Sequence, residues 1–369
     1  MAAMPRLSSL FLATCATLLT VALLVSALAA AAEYPPVVRG QVLAFPADEG
    51  SHPQYRIEWW YVTGWLQDES GQSRGFQVTF FRNRPGLDEG NPSQFAARQL
   101  LFAHAAISDP AVGRLLHDER VARAGFGLAE ATAGSTDVVL EDWSLRQDGQ
   151  TYHVNIPGKD FQLALDLVAT QLPLLQGDAG FSQKGPDQGS ASHYYSQPQM
   201  AVSGRISAGG REFAVQGTAW FDHEWSSTLL DDAAQGWDWL GINLIDGGAL
   251  MAFRMRDAEG HAHWAAASTR RGSGAAAVTS AYRPEQIEWL PERQWRSPRT
   301  GIEYPVEWRL RVGDTWYQVR PLFDDQESDS RRSTGTIYWE GAVELLDATG
   351  AVAGRGYLEL TGYGTRLRM

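Results

Sequence analysis

The chain has 369 residues, 44% of them hydrophobic and 20% charged, which is length for two domains and apolar content for packed cores. Its 31 basic and 43 acidic residues give a net charge of −12, which excludes the broad basic face that nucleic-acid binding needs. The single cysteine excludes an internal disulfide and a cysteine-built metal cluster.

Residues 1–32 differ from the rest. Arg6 is their only charge, and Leu7 to Ala32 is an apolar run ending in small residues such as Ala27-Leu28-Ala29. This is the pattern of a secretory signal peptide, and it predicts a periplasmic or secreted protein. The run is also long enough to stay as an uncleaved anchor. Cys15 sits mid-run, where a lipidated cysteine would not.

Beyond the leader, apolar and polar residues alternate in short runs, the period of a pleated strand. Such runs are Trp59–Leu66, Phe76–Phe81, Leu100–Ile107 and Phe161–Val168 in the first half. Met200–Ile206, Phe213–Phe221, Trp237–Ile245 and Leu250–Met255 follow. Val306–Val312, Trp316–Pro321, Thr336–Leu346 and Tyr357–Gly362 close the chain. Turn signals such as Asp148-Gly149 and Asp246-Gly247-Gly248 separate them. No helical stripe competes, so the expected fold is all-β, with two antiparallel barrels. Residues 33–228 and 229–369 are the expected domains. Pro173 to Pro198, rich in Gly, Ser, Gln and Asp, reads as a long functional or inter-domain loop.

The densest polar cluster is Asp222-His223-Glu224-Trp225. On a strand, Asp222 and Glu224 share one face, and His223 and Trp225 the other. His223 suits acid–base work near neutral pH, and Trp225 suits an apolar or cationic ligand; the same residues also suit a structural network at the domain junction. Alkene hydration needs a proton donor, and a carboxylic acid in an apolar pocket supplies one. Asp222, Glu224 and Glu58, which is followed by Trp59 and Trp60, are the candidates; an ion pair is the other role open to Glu58. His104 reads as a histidine pointing into a barrel, for ligand or core. Tyr194 and Tyr195 read as loop aromatics able to gate a cleft. His261 and His263 have no persuasive third ligand, so no metal is expected. Asp324, Asp325, Glu327 and Asp329 lack calcium-loop spacing and read as a solvated loop. No nucleotide or redox motif occurs, and no cofactor is expected.

Several segments occur together in order: IEWWYVTG (Ile57–Gly64), LFAHA (Leu101–Ala105), LLQG (Leu174–Gly177) and SHYYS (Ser192–Ser196). GTAWFDHEWSS (Gly217–Ser227), GWDWL (Gly236–Leu240), WRSP (Trp295–Pro298), YWEG (Tyr338–Gly341) and GYLELTGY (Gly356–Tyr363) follow. The set resembles the AttH-like/carotenoid 1,2-hydratase family across roughly residues 35–365. The resemblance implies two packed lipocalin-like (calycin-type) barrels and a hydrophobic, lipid- or isoprenoid-like ligand. It places Trp59, Trp60, His104, Tyr194, Tyr195, Trp225, Trp237 and Trp239 among candidate ligand contacts. His223 and Trp225 match the family's His-x-Trp. The Tyr-x-Asp pair that carotenoid hydratases carry downstream has no counterpart near Leu250–Phe253. The leading expectation is therefore a secreted carrier of a hydrophobic ligand, in envelope lipid handling and beside a membrane transporter. The rival is a hydratase, isomerase or cyclase of polyenes that uses Asp222-His223-Glu224-Trp225.

Overall fold

The computed structural model describes residues 34–87, 90–228, 230–272 and 274–366; the expected leader lies outside them. Tyr34–Met369 form one compact unit. The first sheet holds β1 (Ile57–Asp68), β2 (Ser73–Asn83), β3 (Leu100–Asp109), β4 (Arg114–Arg123), β5 (Ala129–Ala131), β6 (Asp137–Leu140) and β7 (Trp143–Asp148). It continues with β8 (Thr151–Pro157), β9 (Phe161–Val168), β10 (Leu174–Leu175), β11 (Phe181–Gln183), β12 (Ala191–Ala208) and β13 (Arg211–Thr228). The second holds β14 (Gly236–Leu244), β15 (Ala249–Arg256), β16 (Ala262–Arg271), β17 (Val278–Tyr282) and β18 (Ile287–Arg296). Its remaining strands are β19 (Glu303–Val312), β20 (Thr315–Pro321), β21 (Glu327–Ser330), β22 (Thr336–Leu346) and β23 (Val352–Leu360).

Every pairing is antiparallel. The first sheet runs β4-β3-β2-β1-β13-β12-β9-β8-β7-β6-β5 and curls until β3 and β4 meet β6, a nearly closed barrel. The second runs β17-β16-β15-β14-β23-β22-β20-β19-β18 and brings β16 to β18. The fold is all-β, as the alternating runs imply.

Side-chain parity sets three cores. One fills the first barrel, with Trp60, Val62, Phe76, Phe80, Phe221 and Trp225. A second fills the other barrel, with Leu240, Ile242, Trp308, Trp339 and Leu358. The third lies between the barrels, where outward residues such as Tyr61, Trp65, Trp220, Trp239, Phe253 and Tyr357 meet. Strands at this junction are buried on both faces: all eight residues of β15 are buried. By contrast, β9 faces water on one side and alternates buried and exposed throughout.

The junction is close-packed. Trp65 Nε1 of the first sheet donates to the Gly356 carbonyl of the second at 2.9 Å. A Cβ on Gly75 would run into the Tyr357 hydroxyl and the Ala342 methyl. Valine suits a strand, so the cost of Gly75→Val is steric alone. It should destabilise the fold by about 1–3 kcal/mol, read as a fall in melting temperature. An unchanged melting temperature would mean the barrels slide apart freely.

The expected loop over Pro173–Pro198 is corrected. β10, β11 and the start of β12 occupy half of it, and β12 pairs with β13. Its polar residues are core hydrogen-bond partners, as when Gln176 Nε2 donates to Ser196 Oγ at 2.7 Å. Their composition imitates a loop because the junction they build is polar.

Candidate functional site

Register decides which side chains meet. β13 lies between β1 and β12, with Asp222 opposite Tyr61 and Ser196, and Glu224 opposite Trp59 and Tyr194. Residues directly opposite share a face. Trp59, Tyr61, Tyr194, Asp222 and Glu224 therefore point out of the first barrel and toward the second. Glu58, Trp60, Tyr195, His223 and Trp225 have the other parity and point inside.

The outward set lines a cleft between the barrels that encloses a cavity of about 80 Å³. The second barrel contributes Trp237, Trp239, Phe253, Met255, Tyr338, Glu340 and Glu359. An adjoining compartment of about 250 Å³ shares Trp59, Phe81, Trp237, Tyr338 and Glu359, and reaches His104.

Asp222 is 2% exposed. Its Oδ1 accepts from Ser196 Oγ at 2.5 Å and Trp220 Nε1 at 2.7 Å, and its Oδ2 from the Tyr194 hydroxyl at 2.8 Å. Burial raises its pKa; the three hydrogen bonds oppose this, the Glu224 charge adds to it, and the result is about 7. Asp222 is thus poised to hold or release a proton near neutral pH. Tyr194 is in turn fixed by Trp239 Nε1, which donates to its oxygen at 3.1 Å. Burial beside Asp222 and Glu224 pushes the Tyr194 hydroxyl well up, so it stays neutral.

Glu224 is ion-paired with Lys184 at 2.7 Å and accepts from Ser192. The Lys184 ammonium also sits over the rings of Phe253 at 4.3 Å and Tyr194 at 4.7 Å. Glu340 of β22 lies directly opposite Glu359 of β23. Burial and the Glu359 charge push Glu340 well above the usual carboxylate range, against the hydroxyls of Tyr61 and Tyr338 beside it. Burial likewise raises Glu359 to about 7, although Trp237 Nε1 donates to it at 3.1 Å. Two facing carboxyl groups cannot both ionise cheaply in an apolar site, so at least one of the pair keeps its proton at neutral pH.

His104 borders the adjoining compartment and ties the barrels together. Its Nδ1 pairs with the Tyr338 hydroxyl and its Nε2 with Ser333 Oγ, both at 2.8 Å. Burial, with His117 nearby, pushes its pKa well down, so it is a neutral hydrogen-bonding group.

The inward set forms a separate network. Glu58 accepts from Arg82 Nε at 2.8 Å, and its carboxylate lies 2.8 Å from His52 Nδ1 and 3.0 Å from His223 Nε2. Burial alone would raise Glu58, but hydrogen bonds from His223 and His52 and the Arg82 charge outweigh it. Glu58 is held well below the usual range, which corrects its reading as a proton donor and leaves the ion-pair role. Burial and the His52 charge lower the pKa of His223, against Glu58. Trp60 stacks on His223 at 4.9 Å, Trp225 on His52 at 3.8 Å, and the Tyr195 hydroxyl is 3.3 Å from His223 Nδ1. His223, Trp60, Tyr195 and Trp225 are thus brought together inside the first barrel and not in the cleft. Tyr194 and Tyr195 are buried strand residues on opposite faces, not loop gates. Ligand atoms of His52, Glu58 and His223 lie within 4.8 Å of one another, close enough to suit a metal. Arg82 already supplies the positive charge there, which disfavours a cation.

Elsewhere His263 pairs with Asp231 at 3.2 Å, while His261 is exposed. Asp324, Asp325 and Asp329 pair with Arg293, Arg299 and Arg331. Glu327 is buried under Ser297, Thr300 and Tyr304. The solvated-loop reading is corrected to an arginine-tied one.

Sequence reasoning missed Lys184, Tyr61, Phe81, Phe253, Met255, Tyr338, Glu340 and Glu359. A signal existed for four of them. Tyr61 stands in IEWWYVTG, Tyr338 and Glu340 in YWEG and Glu359 in GYLELTGY, segments that carried the resemblance, and none of the four was given a role.

The AttH-like family profile matches residues 36–363. A search of curated proteins finds no match. Among solved structures, a protein described as AttH from Nitrosomonas europaea is 50% identical, with a TM-score of 0.82 over 89% of this chain and 99% of that one. Kievitone hydratase from Nectria haematococca shares the fold at 14% identity, with a TM-score of 0.67 over 91% of this chain and 97% of that one. CghA, solved with Sch210972, shares it at 13% identity and a TM-score of 0.53 over 90% and 97%. With its profile match over most of the chain and a half-identical relative of the same fold, the chain belongs to the AttH-like family.

Proposed function

We propose that the inter-barrel cleft is the active site of an acid–base enzyme acting on a hydrophobic unsaturated substrate. The observation that carries this reading is Asp222, a carboxyl group raised to about 7 in an aromatic-walled cleft. A carrier of apolar lipid needs the walls but not buried carboxylic acids. An acid poised near neutral pH is what proton transfer to carbon requires.

Asp222 gives its proton to one alkene carbon, and the neighbouring carbon takes the positive charge. Trp59, Trp237 and Trp239 present π faces that favour such a cation. Water then adds at the charged carbon and loses its proton to a cleft carboxylate, completing hydration. Loss of a carbon-bound proton to a cleft carboxylate instead completes isomerisation; attack by a second double bond closes a ring and moves the charge to the far carbon of that bond, and proton loss from beside it to the carboxylate completes cyclisation. The hydratase named among the relatives of this fold agrees with the first outcome. The apolar leader supports a periplasmic or secreted enzyme.

The test is incubation with a panel of polyene and isoprenoid alkenes in D₂O, read by mass spectrometry. The wild type should place deuterium on carbon, and Asp222→Asn should lose at least about 100-fold in rate. Full turnover by Asp222→Asn would contradict the assignment. Stoichiometric recovery of one unchanged lipid from detergent-free protein, with no turnover of it, would select the carrier reading.

A further inference from the structure

We infer that the ligand of the cleft is a hydrophobic cation, an apolar body carrying an ammonium-type charge into the space faced by Glu340 and Glu359. The inference rests on the same cleft as the acid-catalysis reading. Its test reads binding without turnover, so either can fail alone.

The cleft lining holds four carboxyl groups, Asp222, Glu224, Glu340 and Glu359, and one ammonium, Lys184. Lys184 is held by Glu224 at 2.7 Å. In the adjoining compartment, Arg82 is held by Glu58 at 2.8 Å. Asp222, Glu340 and Glu359 are therefore left with no cation of the lining to answer them. An anionic ligand would meet three carboxyl groups in a site with little water to screen them.

Glu340 is also weakly held. It is 4% exposed, and its Oε1 makes no hydrogen bond of good geometry; the Tyr61 hydroxyl beside it is a weak partner at most. Buried polar atoms are nearly always well satisfied, so a carboxyl group this loosely held and facing a cleft marks a place for a donor from outside. A neutral apolar chain offers it none.

The wall is aromatic. Trp59, Tyr61, Trp237 and Trp239 line the same cleft as the carboxyl pair, and the rings of Tyr61 and Trp239 meet edge to face at 5.2 Å. Lys184 already shows the local preference, with its ammonium over the Tyr194 and Phe253 rings. Aromatic faces with carboxylates behind them recognise ammonium groups by cation–π attraction and charge together.

Three ten-carbon probes that differ only in the head group test this: decyltrimethylammonium, decanol and decanoate. Each is titrated calorimetrically into the wild type at pH 7.5, below its self-association concentration. The ammonium should bind at least about tenfold more tightly than either other probe. In a Glu340→Gln/Glu359→Gln double variant with an unchanged near-ultraviolet dichroism spectrum, the preference should shrink to about threefold or less. The wild-type ranking decides alone if the double variant does not fold. Equal or tighter binding of decanoate or decanol, binding of none of the three, or full retention of the preference by a folded double variant would overturn the inference.

Discussion

Replacing Glu58 by alanine should destabilise the protein by about 3–5 kcal/mol at neutral pH, the cost of breaking a buried ion pair from one side. The side chain is fully enclosed and accepts from Arg82, His52 and His223. Its loss leaves the Arg82 guanidinium buried without a counter-charge. The effect is pH-dependent, because the folded pKa lies below the ordinary value of 4.5. The stabilisation is therefore present above about 4.5 and lost as pH falls toward the folded value. Urea denaturation of the variant at pH 7 checks this, and a loss under about 1 kcal/mol would refute it. Adding Arg82→Met should restore part of the loss, since the uncompensated charge is then gone.

Asp222→Asn should have the opposite sign. The folded pKa of Asp222 is raised from 3.8 to about 7. Between those values the folded state binds the proton more tightly than the unfolded chain does. Stability from this group is complete below 3.8 and lost as pH climbs to about 7. Asparagine keeps the shape and never ionises. The variant should gain about 2–4 kcal/mol over the wild type at pH 8, and the gain should fade as pH approaches 4. Urea midpoints of both proteins across that range measure it. A variant less stable than the wild type at pH 8 would show that the three hydrogen bonds outweigh burial. Glu340 and Glu359 titrate in both proteins, so the difference curve isolates Asp222.

These opposite effects come from paired strands, Glu58 on β1 and Asp222 on β13, whose side chains take opposite faces, and the sequence shows why only in part. Alternation by itself separates Asp222 and Glu224 from His223 and Trp225. It does not say which face is a cleft. On β9 Gln162, Ala164, Asp166 and Val168 alternate with Phe161 and three leucines, so the solvent face is legible from the larger apolar side chains opposite it. On β13, β14 and β15 both faces are apolar or paired, because the outward face of one barrel is the inward face of the junction. His223, with its helpful chemistry and family match, drew attention to the face that turns out to be barrel interior.

Other parts of the site were hidden by distance along the chain. Glu340 and Glu359 stand more than a hundred residues from Asp222 and reach the cleft only through barrel packing. No local pattern announces that they face each other; the pairing of β22 with β23 does. Tyr194 was concealed differently. It sits in a Ser-His-Tyr-Tyr-Ser-Gln stretch whose polar content reads as loop, although each alternate residue there binds a junction partner.

The central claim is that Asp222 is a carboxyl group kept substantially protonated at neutral pH in the inter-barrel cleft. The most direct measurement is a carbon-13 NMR titration of protein labelled at the aspartate carboxyl carbons, with Asp222 assigned from its absence in Asp222→Asn. The account predicts a midpoint near 7. A midpoint at or below the ordinary aspartate value of 3.8 would contradict it and leave the cleft without its proton donor.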